Sequence, residues 1–530
     1  MTTVTGLFGA AAPDPDLAPS KGLKVGALGL LSSIVIGVAS TAPAYSLAAS
    51  LGLVTAAVGL LAPSVMVLAF IPMLFIASAY FYLNRVDPDC GTTFTWVTRA
   101  IGPKTGWMAG WGILITDLVV MPSLAQIAGQ YTFLLFGANG LANNRFWVGF
   151  LGVIWIIIMT AICVVGIELS ARTQVGLLGA EIVILAIFAA VALAKVYASH
   201  IAGSLHPTLG WFNPLHISST GALAGAILTA VFIYWGWDTA VTVNEEAKNT
   251  KRTPGVAAVL STLVLVGIYV IVSTAAQAFH GAGFLTANSN DVLNALSRDV
   301  FGNGWDKFLI VAVLSSASAS TQTTILPAAR SALSMSVHKA IPARFGTIHP
   351  RFLTPAYATT WFGALAIVWF VGLSIISNEV LLDSILALGF GIAFYYAMTG
   401  YACVVYYRRL LLRSVKNFVF VGLAPLVGAL ILTWAFLDSI FVYSNPANAA
   451  GAQVWFRFVR FNVHILGIHF YADGLGPPLI IGIGLLVIGL PLMLVWMIRH
   501  REFFRHTAEH AESLHTPAPP LTPGAAARTD

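Results

Sequence analysis

The residues best placed to do chemistry in this chain are acids and backbone amides set into apolar runs. From Phe232 to Pro254 the sequence reads FIYWGWDTAVTVNEEAKNTKRTP, which puts Gly236 and Asp238 inside a stretch otherwise apolar enough to cross a bilayer. A carboxylate facing lipid costs about 2.5–3.5 kcal/mol on insertion scales, so Asp238 must face a cavity or a partner. Asp117, within another apolar run, is under the same constraint, as a functional group or as a fixed partner of a serine or threonine. Backbone left unpaired at membrane depth survives only where it is buried in protein or lines a cavity, so the interruption at Gly236 marks a candidate binding site. No nucleophile–base constellation, phosphate-binding loop, dinucleotide fingerprint or Cys/His metal spacing accompanies it, and neither enzyme activity nor a cofactor or metal is expected.

A second interruption lies nearer the N-terminus, in IGVASTAPAYSLAAS, where Gly37, the pair Ser40-Thr41 and Pro43 break an apolar run. Proline lacks a backbone donor and favours the first turn of a helix, and Ser or Thr just before it is a good N-cap. The sequence therefore describes either a proline kink or two half-helices, the second starting near Pro43. In the latter case its free N–H groups face the membrane centre, where an anionic group such as a carboxylate could sit. Ala39, Ser40, Thr41 and Ala42 are the candidate ligand-contacting residues of this break.

The elements that must hold these residues follow from composition. With 58% hydrophobic and 9% charged residues, and a mean hydropathy of +0.84, the chain is a polytopic membrane protein. Its +6 charge is spread over short loops, which excludes a nucleic-acid surface. Cys90, Cys163 and Cys403 lie far apart and read as packing residues.

Apolar stretches fall near 25–52, 54–83, 107–136, 146–167, 174–198, 220–244, 255–279, 306–336, 356–377, 381–407, 417–438 and 475–498, giving twelve spanning helices. An inside N-terminus leaves only Arg145, Lys195, Arg298, Lys307, Arg457 and Arg460 of the 27 Lys and Arg residues outside, so both termini are expected in the cytoplasm. The two interruptions sit in the first and sixth helices. Five is odd, so 25–198 and 220–410 read as inverted repeats whose first members are both broken, the best sequence pointer to a midplane transporter site. Residues 411–500 add two helices around a long external segment, 439–474. The tails 1–24 and 501–530 read as cytoplasmic and disordered. The periodicity of Phe94 to Ile101 predicts a short amphipathic helix at the cytoplasmic face.

Three separated segments resemble the amino acid/polyamine/organocation permease superfamily. The first is Phe232, Gly236-Trp237-Asp238, Glu245-Glu246, Lys248, Lys251-Arg252 and Pro254. The second is Gly91, Gly102-Pro103, Gly106-Trp107 and Gly110-Trp111, with Thr92 in place of a second glycine. The third is Ala329-Arg330, Ile341-Pro342, His349 and Pro355, without an Asp-Gly. The resemblance implies an all-α leucine-transporter fold, a 5+5 inverted repeat plus two helices, with substrate held between broken helices 1 and 6 and faced by helices 3, 8 and 10. Helix 1 of that family carries a Gly-Ser/Thr-Gly run for the substrate carboxylate. Here Ala39-Ser40-Thr41-Ala42-Pro43 stands instead, with less backbone freedom where the head of a standard α-amino acid would lie.

By the same resemblance Phe232 covers the substrate, Trp235 and Gly236 border it, and Asp238 belongs to an intracellular gate as a proton-sensitive group or a hydrogen-bonding latch. Glu181 takes a helix-5 position where proton-coupled relatives carry a lysine. It is read as a proton carrier, or as a carboxyl held permanently neutral or paired. The polar run Ser315 to Thr324 in helix 8 could coordinate sodium with helix 1 carbonyls, line a path, or allow close packing. Glu245 and Glu246, with Lys248, Lys251 and Arg252, are expected to form an ion-pair turn at the cytoplasmic face.

The function these features support is secondary transport of an amino acid or related amine across the cell membrane, with proton symport favoured. Exchange, a substrate-sensing receptor on a permease scaffold, and a passive channel are the rivals. Asp117, Glu181 and Asp238 together also suit a cationic amino acid or a polyamine.

Overall fold

The computed structural model describes residues 21–198, 201–217, 220–289, 291–445, 453–465 and 468–505, so the expected tails lie almost wholly outside the described residues. Helices dominate because apolar runs in lipid must satisfy every backbone N–H and C=O internally. The first crossing is α1 (Leu30–Ser40) and α2 (Pro43–Val58), followed by α3 (Ala62–Val86) and a short α4 (Thr93–Ala100). Next come α5 (Pro103–Leu135), a single turn α6 (Asn139–Ala142), α7 (Arg145–Val165) and α8 (Ile167–Ala198). The second half runs through α9 (Thr220–Ile233), α10 (Thr239–Thr242), α11 (Thr253–Ala287), α12 (Val292–Phe301), α13 (Lys307–Val337), α14 (Ala356–Ile376) and α15 (Val380–Tyr407). A short α16 (Val415–Asn417), a π-helical turn over Phe418–Leu423, α17 (Ala424–Tyr443) and α18 (Pro477–Arg499) complete the bundle.

Among the described residues ten helical stretches are long and apolar enough to cross a membrane, and the first of them, Leu30–Val86, holds two crossings. With the broken segment α9–α10 these make the expected twelve. The turn between the first two falls at Gly59 (φ 59°), not beside Gly52 as the sequence ranges imply. Gly52 serves close approach instead, since a Cβ there would lie 2.4 Å from the Ser289 Cα. The segment 439–474, expected outside, adds a small non-helical piece. Strands β1 (Phe456–Ile465) and β2 (Ile468–Leu475) form an antiparallel hairpin pairing Phe456 with Leu475 and Ile465 with Ile468.

α13 and α5 are buried over 94% and 83% of their apolar windows, against 28% for α7 and α18. The first pair therefore forms the centre and the second the lipid-facing rim. The expected amphipathic helix is α4, with Phe94, Trp96 and Val97 buried against the bundle. At the same end Leu28 bridges Ala247, donating to the Glu246 carbonyl and accepting from Lys248 N–H, which ties the start of α1 to the loop after α10.

Candidate functional site

The two interruptions meet. α1 ends at Ser40, and Ala42 takes a left-handed conformation (φ 48°, ψ 65°) that turns the chain before Pro43 opens α2. In the second interruption Gly236 has φ 119°, a value that favours glycine, and a Cβ on it would stand 2.7 Å from the Ser40 carbonyl oxygen. The Ser40 and Thr239 hydroxyls share a hydrogen bond of 2.9 Å, and Ser320 of α13 donates to the Ser40 carbonyl at 2.9 Å. Ser40 is thus the joint between α1, α10 and α13.

The start of α2 corrects two expectations. Neither Ser40 nor Thr41 caps it; Ala42 is the N-cap residue and offers no side-chain acceptor, while the Thr41 hydroxyl donates back to the Val38 carbonyl. The orphan N–H groups are capped from other helices. Ala44 N–H donates to Glu181 Oε1 of α8 at 2.7 Å, and Tyr45 N–H to Ser316 Oγ of α13 at 3.2 Å. Ser316 in turn donates to Glu181 Oε1 at 2.8 Å. The carboxylate expected at this helix end is therefore the protein's own, and its buried Oε2 has no hydrogen-bond partner. A distant side chain supplies the cap because the left-handed turn and Pro43 carry the local hydroxyls away from the first free N–H groups.

Phe232 is buried at the end of α9 and packs edge-on against Tyr45, whose hydroxyl donates to Ser123 of α5 at 2.8 Å. Trp235 donates through Nε1 to the Tyr395 hydroxyl at 2.5 Å, and Trp237 packs between Tyr80 and Tyr396, its Nε1 without a partner. Asp238 is 4% exposed and accepts from Tyr395 at 3.1 Å and Tyr396 at 2.8 Å. Asp117 is 2% exposed, and its Oδ2 has no hydrogen-bond partner. It follows Thr116, whose hydroxyl a Cβ on Gly391 would strike, at the contact between α5 and the helix α15 that carries Tyr395 and Tyr396. The structure therefore brings the two breaks, Phe232, Trp235, Asp238 and Asp117 around one centre. Glu181 reaches the same centre from the far side of α2.

Tyr395 and Tyr396 escaped the sequence reading. Their signal is an adjacent pair of hydroxyls inside the apolar run GFGIAFYYAMTGY, which a hydropathy profile does not register. In the polar run of α13, Ser315, Thr321 and Thr323 turn their hydroxyls onto their own helix backbone, those of Ser318 and Thr324 have no partner, and Ser316 and Ser320 are the ones that reach α2 and α1.

The charged end of the bundle holds a separate cluster. Arg330 donates through Nε and Nη2 to Glu246 Oε2 and Oε1 at 2.7 and 3.0 Å, both residues being fully buried. Lys21 contacts Asp89 at 2.8 Å and Glu245 at 2.6 Å. The expected ion-pair turn thus reaches across the molecule, to α13 and to the segment ahead of α1, because the turn is buried against both. Asp89, Cys90 and Glu245 converge closely enough to hold a metal, but the Lys21 ammonium fills the cation position. Burial opposes ionisation of Asp89, and Lys21, His338 and the Ser334 hydroxyl outweigh it, holding the carboxyl below its ordinary range.

The sequence model for amino acid permeases matches residues 28–468. The chain is 23% identical over 374 residues to the low-affinity putrescine importer of Escherichia coli (strain K12), spanning 69% of this chain and 78% of that protein. It is 25% identical over 430 residues to an uncharacterized transporter of Mycobacterium tuberculosis, 81% and 88% of the two chains. A third relative, the branched-chain amino acid permease of Lactococcus lactis, is 24% identical over 246 residues, 44% and 51% of the two chains. With the family pattern running through both broken helices and the core that joins them, the chain belongs to the amino acid permease family, whose members are membrane transporters and not enzymes.

Proposed function

We propose that this protein is a secondary transporter that moves an amino acid or related amine across the cytoplasmic membrane by alternating access, both termini lying inside. The observation that carries the reading is the meeting of two interrupted helices at Ser40 and Gly236, in the centre of a bundle that crosses the membrane. Ala39 to Ala42 and Phe232 to Gly236 border the substrate, with Phe232 as its cover. The repeats 25–198 and 220–410 are the halves that rock about it. The relatives named for putrescine and for branched-chain amino acids share an amine, which supports that class of cargo.

Proton symport is the favoured coupling. Glu181 ties α8 to the start of α2 and to Ser316, and an ionised carboxylate holds a helix N-terminus more firmly than a neutral one. Protonation of Glu181 loosens α2, and deprotonation on the opposite face restores it. Asp238, on its two tyrosines, is the latch that joins the second break to α15.

The test is uptake of labelled amines and amino acids into proteoliposomes with and without a proton gradient. Absence of both accumulation and exchange for every compound overturns the transport reading. Glu181→Gln keeps substrate binding and exchange but loses gradient-driven accumulation; accumulation at the wild-type level removes Glu181 from the coupling role.

A further inference from the structure

The cargo's chemical class is narrower than the family's. Wherever a helix N-terminus is open, its amides and dipole make a carboxylate site. Here that end is closed. Thr41 and Ala42 N–H groups bond to Val38 and Ala39 carbonyls, Pro43 has none, Ala44 and Tyr45 are taken by Glu181 and Ser316, and Ser46 bonds to Ala42. α10, with four residues, is too short to offer a second such end.

On the other side of the same centre the charge balance is reversed. Asp117 is buried, its Oδ2 is without a partner, and among the described residues no lysine, arginine or histidine pairs with Asp117, Asp238 or Glu181. Asp238 spends both oxygens on Tyr395 and Tyr396, and the unpartnered Oε2 of Glu181 belongs to the carboxylate that already caps α2, so the acceptor left for the cargo is Asp117. α5 packs on α15 at this level, where a Cβ on Gly112 would stand 3.5 Å from the Tyr395 Cβ and one on Gly391 would strike the Thr116 hydroxyl, which puts Asp117 at the contact between the two helices. A buried carboxylate without a cation is costly, and a cationic cargo relieves it in the loaded state.

We infer that the transported amine carries no carboxylate: Asp117 is the counter-ion of its ammonium group, and Glu181 occupies the amide end of α2 that a substrate carboxylate would need. This rests on the transport reading and assigns Asp117 to the cargo, where the sequence pointed to gating or coupling.

Matched pairs that differ only in the carboxylate test it. Radiolabelled 1,4-diaminobutane is bound to the purified full-length protein in detergent and displaced by 1,4-diaminobutane or ornithine, and by 3-methylbutylamine or leucine. Each amine is expected to displace the label at a concentration at least about tenfold below that of its amino acid, a difference of about 1.4 kcal/mol. Asp117→Asn weakens amine binding at least about tenfold while leaving the melting temperature equal or higher, a combination a structural role does not give. Glu181→Ala narrows the gap between ornithine and 1,4-diaminobutane by freeing the Ala44 amide. Should that variant fail to fold, the wild-type and Asp117→Asn measurements still decide. Ornithine or leucine binding as well as its amine overturns the inference, and so does failure of the labelled amine to bind. Selective amine binding without flux keeps Asp117 as the counter-ion of a bound amine and overturns the transport reading.

Discussion

Acids are buried in two parts of this molecule under opposite conditions. At the charged end, Glu246 is clasped by the Arg330 fork, and Asp89 and Glu245 share the Lys21 ammonium. In the membrane centre, Asp238 rests on two tyrosine hydroxyls, Glu181 on an amide and a serine, and Asp117 has an oxygen with no partner. The difference teaches that burial by itself says little about role. A carboxylate neutralised by a fixed cation is part of the framework, whereas one held only by neutral donors has no fixed counter-ion, which on the proposed reading leaves it to the cargo or the proton.

The largest effect that could break this comparison lies at the charged end. Arg330→Met leaves Glu246 buried with its charge uncompensated, an expected loss of about 3–5 kcal/mol seen as a large drop in the detergent melting temperature. Adding Glu246→Gln to Arg330→Met recovers most of the loss, because the orphaned charge goes with it. Asp117→Asn at the centre replaces a carboxyl that no fixed cation pairs and is expected to destabilise little or not at all. Were Asp117→Asn to lower the melting temperature as far as Arg330→Met does, the two regions would not differ in the way described.

A smaller effect is expected where the breaks touch. Gly236→Ala forces a side chain onto a backbone at φ 119° and against the Ser40 carbonyl, costing about 1–3 kcal/mol of strain. That falls on the α1–α10 joint, so uptake should drop by more than the melting temperature shift alone accounts for. Wild-type uptake in Gly236→Ala would separate the joint from transport.

Much of this layout is legible in the sequence. Apolar run length gives the twelve crossings, and Pro43 and Gly236 mark the two breaks, because proline and positive-φ glycine are local demands on the backbone. What closes the first break is not legible. Glu181 and Ser316 are 137 and 271 residues from the amides they cap, and nothing local to Ala42 announces them. Tyr395 and Tyr396 were hidden because tyrosine passes for an apolar residue in a spanning helix until its hydroxyl meets an acid. The partners of Glu245 and Glu246 were expected among nearby bases, since sequence proximity is the only distance a sequence offers. Lys21 and Arg330 became partners only once the ends of α1 and α13 were brought to the same face.

The smallest effect is a pH dependence within the charged end itself, where Asp87 and Asp89 stand two residues apart. Burial pushes the Asp87 carboxyl up from 3.8 to about 6 against the pull of Arg99, whereas Asp89 is held below its ordinary range. The signs are opposite. A raised value means stability fully present below the unfolded value of 3.8 and lost as pH rises through about 6. A lowered value means stability present above 3.8 and lost only in stronger acid. Between about pH 5 and 7.5 Asp89 is therefore silent, and Asp87 takes away about 1 kcal/mol. Asp291, between α11 and α12, is also raised to about 6 by burial and acts with the same sign, so the raw slope does not isolate Asp87. The difference between wild type and Asp87→Asn does. It should shrink the fall in melting temperature over this range by that amount while leaving the acid limb below pH 4 unchanged. An unchanged slope in Asp87→Asn would mean that Arg99 offsets burial fully, and that Asp87 belongs with its paired neighbours.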